Sequence, residues 1–230
     1  VFGTDAIDQL PEIVSRSRQG EHVNSTRFEH SQPYHIETMV RNPGVSTFVN
    51  ITKGCDNFCT FCVVPFTRGR ERSRPLRHVV DDVQKLNLRG VKEVTLLGQN
   101  VNSYESECGV NFAGLLKALA QDTDIQRIRY TTSHPKDFDR ELMDVMRVYS
   151  EKVMEYVHLP VQSGNTEVLK RMNRGYSRAL IGRAHSRKRR ASTISSPTNK
   201  RMRDSQDSLP NTKTSHSTSL TNTKARHSKC

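Results

Sequence analysis

The chain has 230 residues, 33% of them hydrophobic, a mean hydropathy of -0.70 and a formal net charge of +12. It contains no apolar run long enough to cross a bilayer and no signal-peptide pattern, so we expect neither a membrane protein nor a secreted one. The charge is local, because residues 177–230 hold 13 Lys and Arg against two Asp, which leaves a net charge of +1 for residues 1–176. Electrostatic attraction to nucleic acid would therefore concern the tail.

The first 44 residues predict one short helix followed by a linker. Apolar residues recur at helical spacing, and Pro11 places the start of the helix near residues 8–11; they are Ile7, Leu10, Ile13 and Val14. Residues 21–44 are polar and contain two prolines, which is typical of an extended linker.

Strand and helix patterns alternate from residue 45 to residue 176, at intervals of roughly thirty residues as in βα units. Strands are predicted at 46–51, 91–97, 125–131 and 153–159. Helices are predicted at 76–86, with a C-terminal cap at Gly90, and at 112–119, 138–149 and 168–172. The order βαβαβαβα predicts an α/β fold with a parallel sheet or barrel and helices outside.

The first predicted strand runs into a loop that holds three of the five cysteines, Cys55, Cys59 and Cys62. Thiolates are typical ligands of iron-sulfur clusters, and three of them can leave a fourth iron open for a substrate. Zinc is one alternative, but it normally needs four ligands, and the spare candidates have no finger-like spacing to this loop: His78, Cys108 and Cys230. Buried structural cysteines are the other alternative. An odd number of cysteines without a secretory signal indicates metal or redox ligands in a reducing compartment.

The later predicted strands also end in polar loops, at residues 98–100, 132–135 and 160–164. In α/β folds the chemistry lies at the carboxyl ends of the strands. We therefore expect four loops to meet at one mouth, although an ordinary βα turn is the alternative for any single loop.

The segment 177–230 is rich in Ser, Thr, Lys and Arg and is predicted to be disordered, because it cannot bury enough apolar area to offset its ordering entropy. Basic clusters at 187–190 and 200–203 are typical of a nuclear-localisation or nucleic-acid patch. A solvated tail without such a role is the alternative.

Several separated motifs resemble those of one family. Gly54 and the three cysteines form Gly-Cys-x3-Cys-x2-Cys, the signature of radical S-adenosylmethionine (SAM) enzymes. Residues 48–75, 93–103, 131–135 and 158–164 are similar to successive blocks of the methylthiotransferases, specifically the MiaB type that acts on tRNA. The resemblance covers about residues 45–176.

The resemblance implies a reaction and a set of cofactors. Cys55, Cys59 and Cys62 would ligate a 4Fe-4S cluster whose open iron chelates SAM. An electron from a flavodoxin- or ferredoxin-type reductant would cleave SAM to a 5'-deoxyadenosyl radical. A methylthio group would then be installed at C2 of an N6-isopentenyl-type adenosine next to the tRNA anticodon. The resemblance also implies contacts to SAM or substrate, with hydrogen bonding inside each loop as the alternative, from Phe61, Gly98, Ser133, Gln162 and Ser163.

The resemblance is partial, which leads to an expectation of incompleteness. Residues 1–20 resemble the end of the family's N-terminal domain, and residues 45–176 resemble about four βα units of a six-unit radical SAM barrel. We expect a truncated chain, cytoplasmic or mitochondrial, that binds a cluster weakly and does not complete methylthiolation. The alternatives are an inactive relic barrel with a basic RNA-binding or nuclear-targeting tail, and a zinc-binding protein.

Overall fold

The computed structural model describes residues 1–26, 38 and 40–182. The α-helices are α1 Leu10–Arg18, α2 Val64–Thr67, α3 Leu76–Leu88, α4 Phe112–Asp122, α5 Arg140–Val148 and α6 Thr166–Arg171. The β-strands are β1 Ser46–Asn50, β2 Thr52–Lys53, β3 Arg72–Ser73, β4 Glu93–Leu97 and β5 Arg127–Tyr130. Short 3-10 helices occur at Ile7–Gln9, Val101–Ser103 and Pro135–Asp137. Half of the predicted linker, both basic clusters and Cys230 lie outside the described residues.

The central sheet has the order β1-β4-β5, and both pairs of neighbouring strands are parallel. Ser46 pairs with Glu93, and Glu93 pairs with Arg127 on its other side. Because parallel neighbours require a crossover, α3 connects β1 to β4 and α4 connects β4 to β5. The predicted α/β architecture with a parallel sheet is confirmed.

The fourth predicted strand, 153–159, is wrong in its extent. Only Val153 forms a bridge, to Ile128 of β5, held by the hydrogen bonds from Ile128 N to Lys152 O and from Met154 N to Ile128 O at 2.8 and 3.0 Å. The ladder ends early because Thr132, just after β5, has φ +64 and donates its N–H to the side-chain Nδ1 of His158 instead of a strand carbonyl. A side-chain acceptor of this kind could not be read from the apolar run.

The helices α3, α4 and α5 cover one face of the sheet. Alternate strand residues such as Val49, Leu96 and Ile128 are fully buried against them. On the opposite face Phe48 is 64% exposed, in register with Thr95 and Arg129. Among the residues that the structure describes, the hydrophobic core of the sheet therefore lies on one of its two faces.

Asparagine and aspartate side chains fix where three helices begin. Asn111, Asp139 and Asn165 accept hydrogen bonds from backbone N–H groups in the first turns of α4, α5 and α6, at 2.8 to 3.3 Å. Such caps satisfy donors that have no partner inside the helix. The caps lie at the ends of the loops that follow β4, β5 and the strand predicted at 153–159, so the three helices start at defined points after these loops.

The N-terminal segment packs against the short β2–β3 hairpin. The buried carboxylate of Asp5 pairs with Lys53 of β2 and with Arg72 of β3, the latter at 2.8 Å. Residues 178–182, within the segment predicted as tail, are helical. The boundaries 1–20, 21–44, 45–176 and 177–230 remain predictions. In the part of the chain that the structure describes, every helix is too short or too polar to traverse a lipid bilayer.

Candidate functional site

The three cysteines lie on one loop between β2 and α2, residues 54–62, called here the cysteine loop. Cys59 is buried, Cys55 and Cys62 are half-buried, and all three are free thiols. Burial raises the pKa of the Cys55 thiol, and Asn57 Nδ2 donates to its sulfur at 3.4 Å. The loop thus presents three sulfur donors from nine residues of chain.

Backbone contacts determine how the cysteine loop begins. Gly54 has φ +81, and a Cβ at this position would lie 2.1 Å from the carbonyl oxygen of Arg70. Cys55 N donates to Gly69 O at 3.2 Å, and Gly54 N donates to Gln99 Oε1 at 2.7 Å. Only glycine fits both the conformation and the close approach.

The segment after the loop carries charges that hold it in place. Asp56 pairs with Arg70 at 2.7 Å and accepts from the N–H of Glu71 at 3.1 Å. The Glu71 carboxylate accepts a hydrogen bond from Ser103 Oγ. Burial, with smaller effects from the charges of Asp56 and Asp137, raises the pKa of Glu71 to about 7.

The loops after β4 and β5 are joined by hydrogen bonds. Val101 N donates to Thr132 O at 3.1 Å, and the Asn102 side chain exchanges two hydrogen bonds with the backbone of His134, at 2.9 and 2.7 Å. Asn100 Nδ2 donates to Asp137 at 2.8 Å, and burial raises the pKa of this carboxyl. These hydrogen bonds therefore hold the loop after β4 and the loop after β5 together, beside the cysteine loop.

Residues from the last part of the described chain form hydrogen bonds to the other strand-end loops. Ser133 N donates to His158 O at 3.1 Å, and Arg174 Nη2 donates to Pro160 O at 3.2 Å. Arg174 Nη1 also donates to the sulfur of Cys59 at 3.1 Å. Together with the bond from Gly54 to Gln99, these contacts bring all four predicted loops to one mouth, as expected from the sequence.

The five side chains or positions expected to contact SAM or substrate differ in exposure. Ser133 is 3% exposed, and its Oγ has no hydrogen-bond partner within the described residues. Phe61 is 54% exposed, and Gln162 is exposed with φ +62. Ser163 Oγ accepts from the N–H of Asn165 at 3.1 Å.

Gly98, the fifth of these positions, lies against β2. A Cβ on Gly98 would lie 2.0 Å from Thr52 Oγ1, so packing alone requires a glycine here. The hydroxyl of Thr52 is buried and has no partner within the described residues. The glycine therefore explains the close contact between β2 and the loop after β4, and its predicted role toward SAM stays a prediction.

Sequence reasoning did not assign a role to Arg174 or Glu71. Both lie in runs that resemble the family, but their contacts depend on residues far away in the chain, such as Cys59 for Arg174. His134 belongs to one of the runs that resemble the family, 131–135; burial, followed by the charges of Arg174 and Lys136, lowers its pKa to about 3. For Glu71 the sequence offers one signal of a special role, because it is the single acidic residue in the basic run 70–74.

As they stand, no three His, Cys, Asp or Glu side chains surround one point closely enough to hold a metal ion within residues 1–26, 38 and 40–182. The direction of the Cys59 sulfur is one reason, because this sulfur accepts a hydrogen bond from Arg174. Ligation by Cys55, Cys59 and Cys62 therefore stays a prediction.

The family is evident from comparisons with known proteins. Residues 49–193 match the model of the Radical SAM superfamily. A tRNA-2-methylthio-N(6)-dimethylallyladenosine synthase from Bdellovibrio bacteriovorus is 67% identical over 180 residues, which are 77% of this chain and 40% of that protein. The chain spans about 40% of the length of the curated relatives it matches first.

Solved structures share the fold at low sequence identity. The apo form of OxsB, a cobalamin-dependent SAM radical enzyme, aligns with a TM-score of 0.55 and 13% identity, covering 79% of this chain and 30% of that one. The radical SAM methyltransferase TsrM from Kitasatospora setae, with cobalamin and a 4Fe-4S cluster bound, aligns with a TM-score of 0.51 and 20% identity, covering 63% and 28%. The range 49–193 of this chain that matches the family model includes β4, β5, the end of β1, the cysteine loop and the loops around it. The chain belongs to the radical SAM superfamily.

Proposed function

We propose that this chain is the SAM-binding part of a tRNA methylthiotransferase that modifies C2 of an N6-isopentenyl-type adenosine next to the anticodon. The observation that carries the proposal is the set of three free thiols on one loop, at the carboxyl edge of a parallel sheet. The 67% identity to a tRNA-2-methylthio-N(6)-dimethylallyladenosine synthase supports the choice of substrate. That relative is bacterial, which favours the cytoplasm over the mitochondrion.

The donor set fits a 4Fe-4S cluster. Cys55, Cys59 and Cys62 are all free, and three thiolates suit a cubane that keeps one iron open. When bound, the cluster would supply the electron that cleaves SAM. Glu71 stands on the segment that follows α2, and the bond from Glu71 N to Asp56 of the cysteine loop keeps that segment against the loop that bears the ligands.

The loops around the thiols would bind and orient SAM. The buried Ser133 Oγ lacks a partner within the described residues, so it is available to a polar group of a ligand. Phe61, between two of the cysteines, would offer an aromatic surface and backbone groups to the adenine. Gly98, Gln162 and Ser163 would complete the contacts from the loops after the second and fourth predicted strands. The protein's part is binding, orientation and exclusion of water.

The partners follow from the same proposal. A tRNA would be the substrate, and a flavodoxin- or ferredoxin-type protein would be the electron donor. Phe66, on α2 directly after the cysteine loop and 70% exposed, would stack against a base that is turned out of the RNA. The zinc-binding alternative predicts bound zinc at the same cysteines.

Anaerobic reconstitution with iron and sulfide tests the cluster. We expect about four irons per chain, as in a thiolate-bound cubane, and the charge-transfer absorbance that accompanies iron–thiolate bonds. Cys59→Ala should abolish both. Lys117→Ala, which changes an exposed residue of α4 outside the cysteine loop, should leave both unchanged. About one zinc and no iron in the protein as purified, or absorbance that survives Cys59→Ala, would overturn the assignment.

A second measurement tests the reaction. The reconstituted chain, supplied with dithionite and SAM, should release 5'-deoxyadenosine, and the release should require Cys59. Addition of a tRNA with isopentenyl-adenosine should increase the release if that RNA is the substrate. A cluster-loaded chain that does not bind SAM in equilibrium dialysis would refute its role as the SAM-binding part.

A further inference from the structure

The residues that end α6 and follow it, 171–176, form hydrogen bonds to the middle of the cysteine loop and are called here the clamp segment. Thr60 donates its N–H to Met172 O at 3.2 Å and its hydroxyl to Arg171 O at 3.3 Å. Asn173 Nδ2 donates to Phe58 O at 2.9 Å. Both residues of this last pair have positive φ, +53 and +43, so each side of the contact is held in a conformation that needs support.

Arg174 is the centre of the clamp segment. Its side chain is buried, and its donors reach three acceptors: the Cys59 sulfur at 3.1 Å, Pro160 O at 3.2 Å and the Tyr176 hydroxyl at 3.1 Å. Tyr176 extends this hydrogen-bond network, because its hydroxyl donates to Val161 O at 2.9 Å. The guanidinium therefore joins the cysteine loop to the loop at 160–161 by a direct bond at each end.

Arg174 differs from Arg74, the other buried arginine near the site, in the groups that compensate its charge. Arg74 pairs with the Asp82 carboxylate at 2.7 Å, which compensates the cost of burying its charge. Within the described residues Arg174 has no ion pair with a carboxylate, and its acceptors are a sulfur, a carbonyl and a hydroxyl. A buried guanidinium without a carboxylate partner that donates directly to a cysteine sulfur is placed to hold that sulfur.

We propose that Arg174 is a positioning residue for the Cys59 sulfur, fixing its direction in the free protein and donating a charged hydrogen bond to it when Cys59 ligates a cluster. This inference rests on the proposed function for its second half. Hydrogen bonds to ligand sulfurs help to set the reduction potential of a cluster, and a cationic donor forms the stronger kind. Because reduction adds negative charge, Arg174 favours the reduced state.

The free protein provides the first test. Iodoacetamide at pH 10, where ordinary thiols are ionised, labels cysteines according to their exposure, and mass spectrometry gives the ratio of Cys59 to Cys62. In Arg174→Ala we expect the ratio to rise about fivefold or more, because the 7%-exposed Cys59 loses its cover and its anchor. Arg171→Ala, which removes an exposed arginine from the same segment, should leave the ratio unchanged.

A variant that unfolds would label all three loop cysteines at the rate seen in urea, and circular dichroism identifies that case. If Arg174→Ala unfolds, Arg174→Lys tests the proposal in its place. Lysine keeps the charge and a long side chain but cannot bind three acceptors in the fixed geometry of a guanidinium. We expect an intermediate ratio from the lysine variant. Wild-type ratios in both variants would overturn the proposal.

The cluster-loaded protein provides the second test, with a measurement that a packing role alone would not change. In Arg174→Ala the ratio of reduced to oxidised cluster at a fixed potential should be about tenfold lower than in the wild type. This corresponds to a reduction potential lower by about 59 mV for one electron. Arg171→Ala should match the wild type. If wild-type protein forms no cluster, the proposed function fails while the labelling ratio still judges Arg174. If the cluster forms and neither its potential nor the labelling ratio depends on Arg174, the inference is wrong.

Discussion

The packed layer of the molecule and the cysteine loop are stabilised in different ways. The packed layer consists of β1, β4, β5, α3, α4 and α5, and its interior is a continuous set of fully buried aliphatic side chains that includes Leu96 and Leu119. The cysteine loop and α2 instead leave Phe61, Val63 and Phe66 exposed by 54%, 62% and 70%. Hydrogen bonds to distant segments hold this loop, among them those from Thr60 and Arg174.

The difference shows which changes each region tolerates. In the packed layer many equivalent contacts share the work, so stability depends on the apolar volume buried. In the cysteine loop a few backbone bonds, one glycine and one arginine determine the geometry, so a single polar or conformational change is felt locally. Changes in the packed layer should therefore unfold the protein, whereas changes near the cysteines should alter the site.

The largest effect is expected in the packed layer. Leu119→Ala removes a fully buried side chain from α4 and leaves a cavity under the sheet, which should lower the free energy of unfolding by about 3–5 kcal/mol. Urea denaturation followed by circular dichroism measures it. Leu88→Ala, at a position 87% exposed on α3, serves as the control and should change stability by less than about 0.5 kcal/mol. Equal losses in the two variants would contradict the comparison.

The same difference explains how far the sequence could predict the structure. The 3.6-residue and buried-strand patterns located α3, α4, α5 and the three paired strands, because those elements depend on apolar burial. The pattern overestimated the strand at 153–159, since Thr132 turns the chain and His158 supplies a side-chain acceptor.

For the site, spacing located the three thiols and the four loops, because both follow from positions along the chain. The bond between Arg174 and Cys59 joins residues separated by 115 positions, and no local period encodes it. The raised pKa of Glu71 likewise depends on burial by other segments, which appears only after folding.

The next prediction concerns the start of the cysteine loop. Gly54→Ala puts a Cβ into a positive-φ position and 2.1 Å from the Arg70 carbonyl oxygen, so the backbone at 69–70 must move. We expect a loss of about 2–4 kcal/mol from conformational strain and overpacking together. Gly90→Ala has a similar φ of +92 with no atom within 4 Å of the added Cβ, so it should lose only about 1–2 kcal/mol.

The pair of glycine variants separates two causes, and urea denaturation of both measures the difference. If Gly54→Ala costs no more than Gly90→Ala, the contact with Arg70 is not what fixes the loop. The cysteine loop would then be held by its polar bonds alone.

The smallest of the three effects depends on pH and tests the carboxylate beside the cysteine loop. The pKa of Glu71 rises from 4.5 to about 7 in the folded state, mainly through burial. Below pH 4.5 the carboxyl is protonated in both states, and its charge costs nothing. As pH rises from 4.5 to 7 the unfolded chain loses this proton first, so stability falls, and above pH 7 the full cost of up to about 3 kcal/mol applies.

Glu71→Gln keeps a hydrogen-bonding side chain of similar size and removes the titration. We expect the variant to match the wild type at pH 4 and to exceed its stability at pH 8, measured by urea denaturation across this range. Glu151→Gln, which removes an exposed acid in the turn after α5, controls for the loss of one negative charge. A wild-type pH slope that persists in Glu71→Gln would place the titrating group elsewhere. A slope that disappears would show that the cysteine loop borders a carboxyl that the fold keeps protonated near neutral pH, in contrast to the packed layer, where apolar side chains carry the stability.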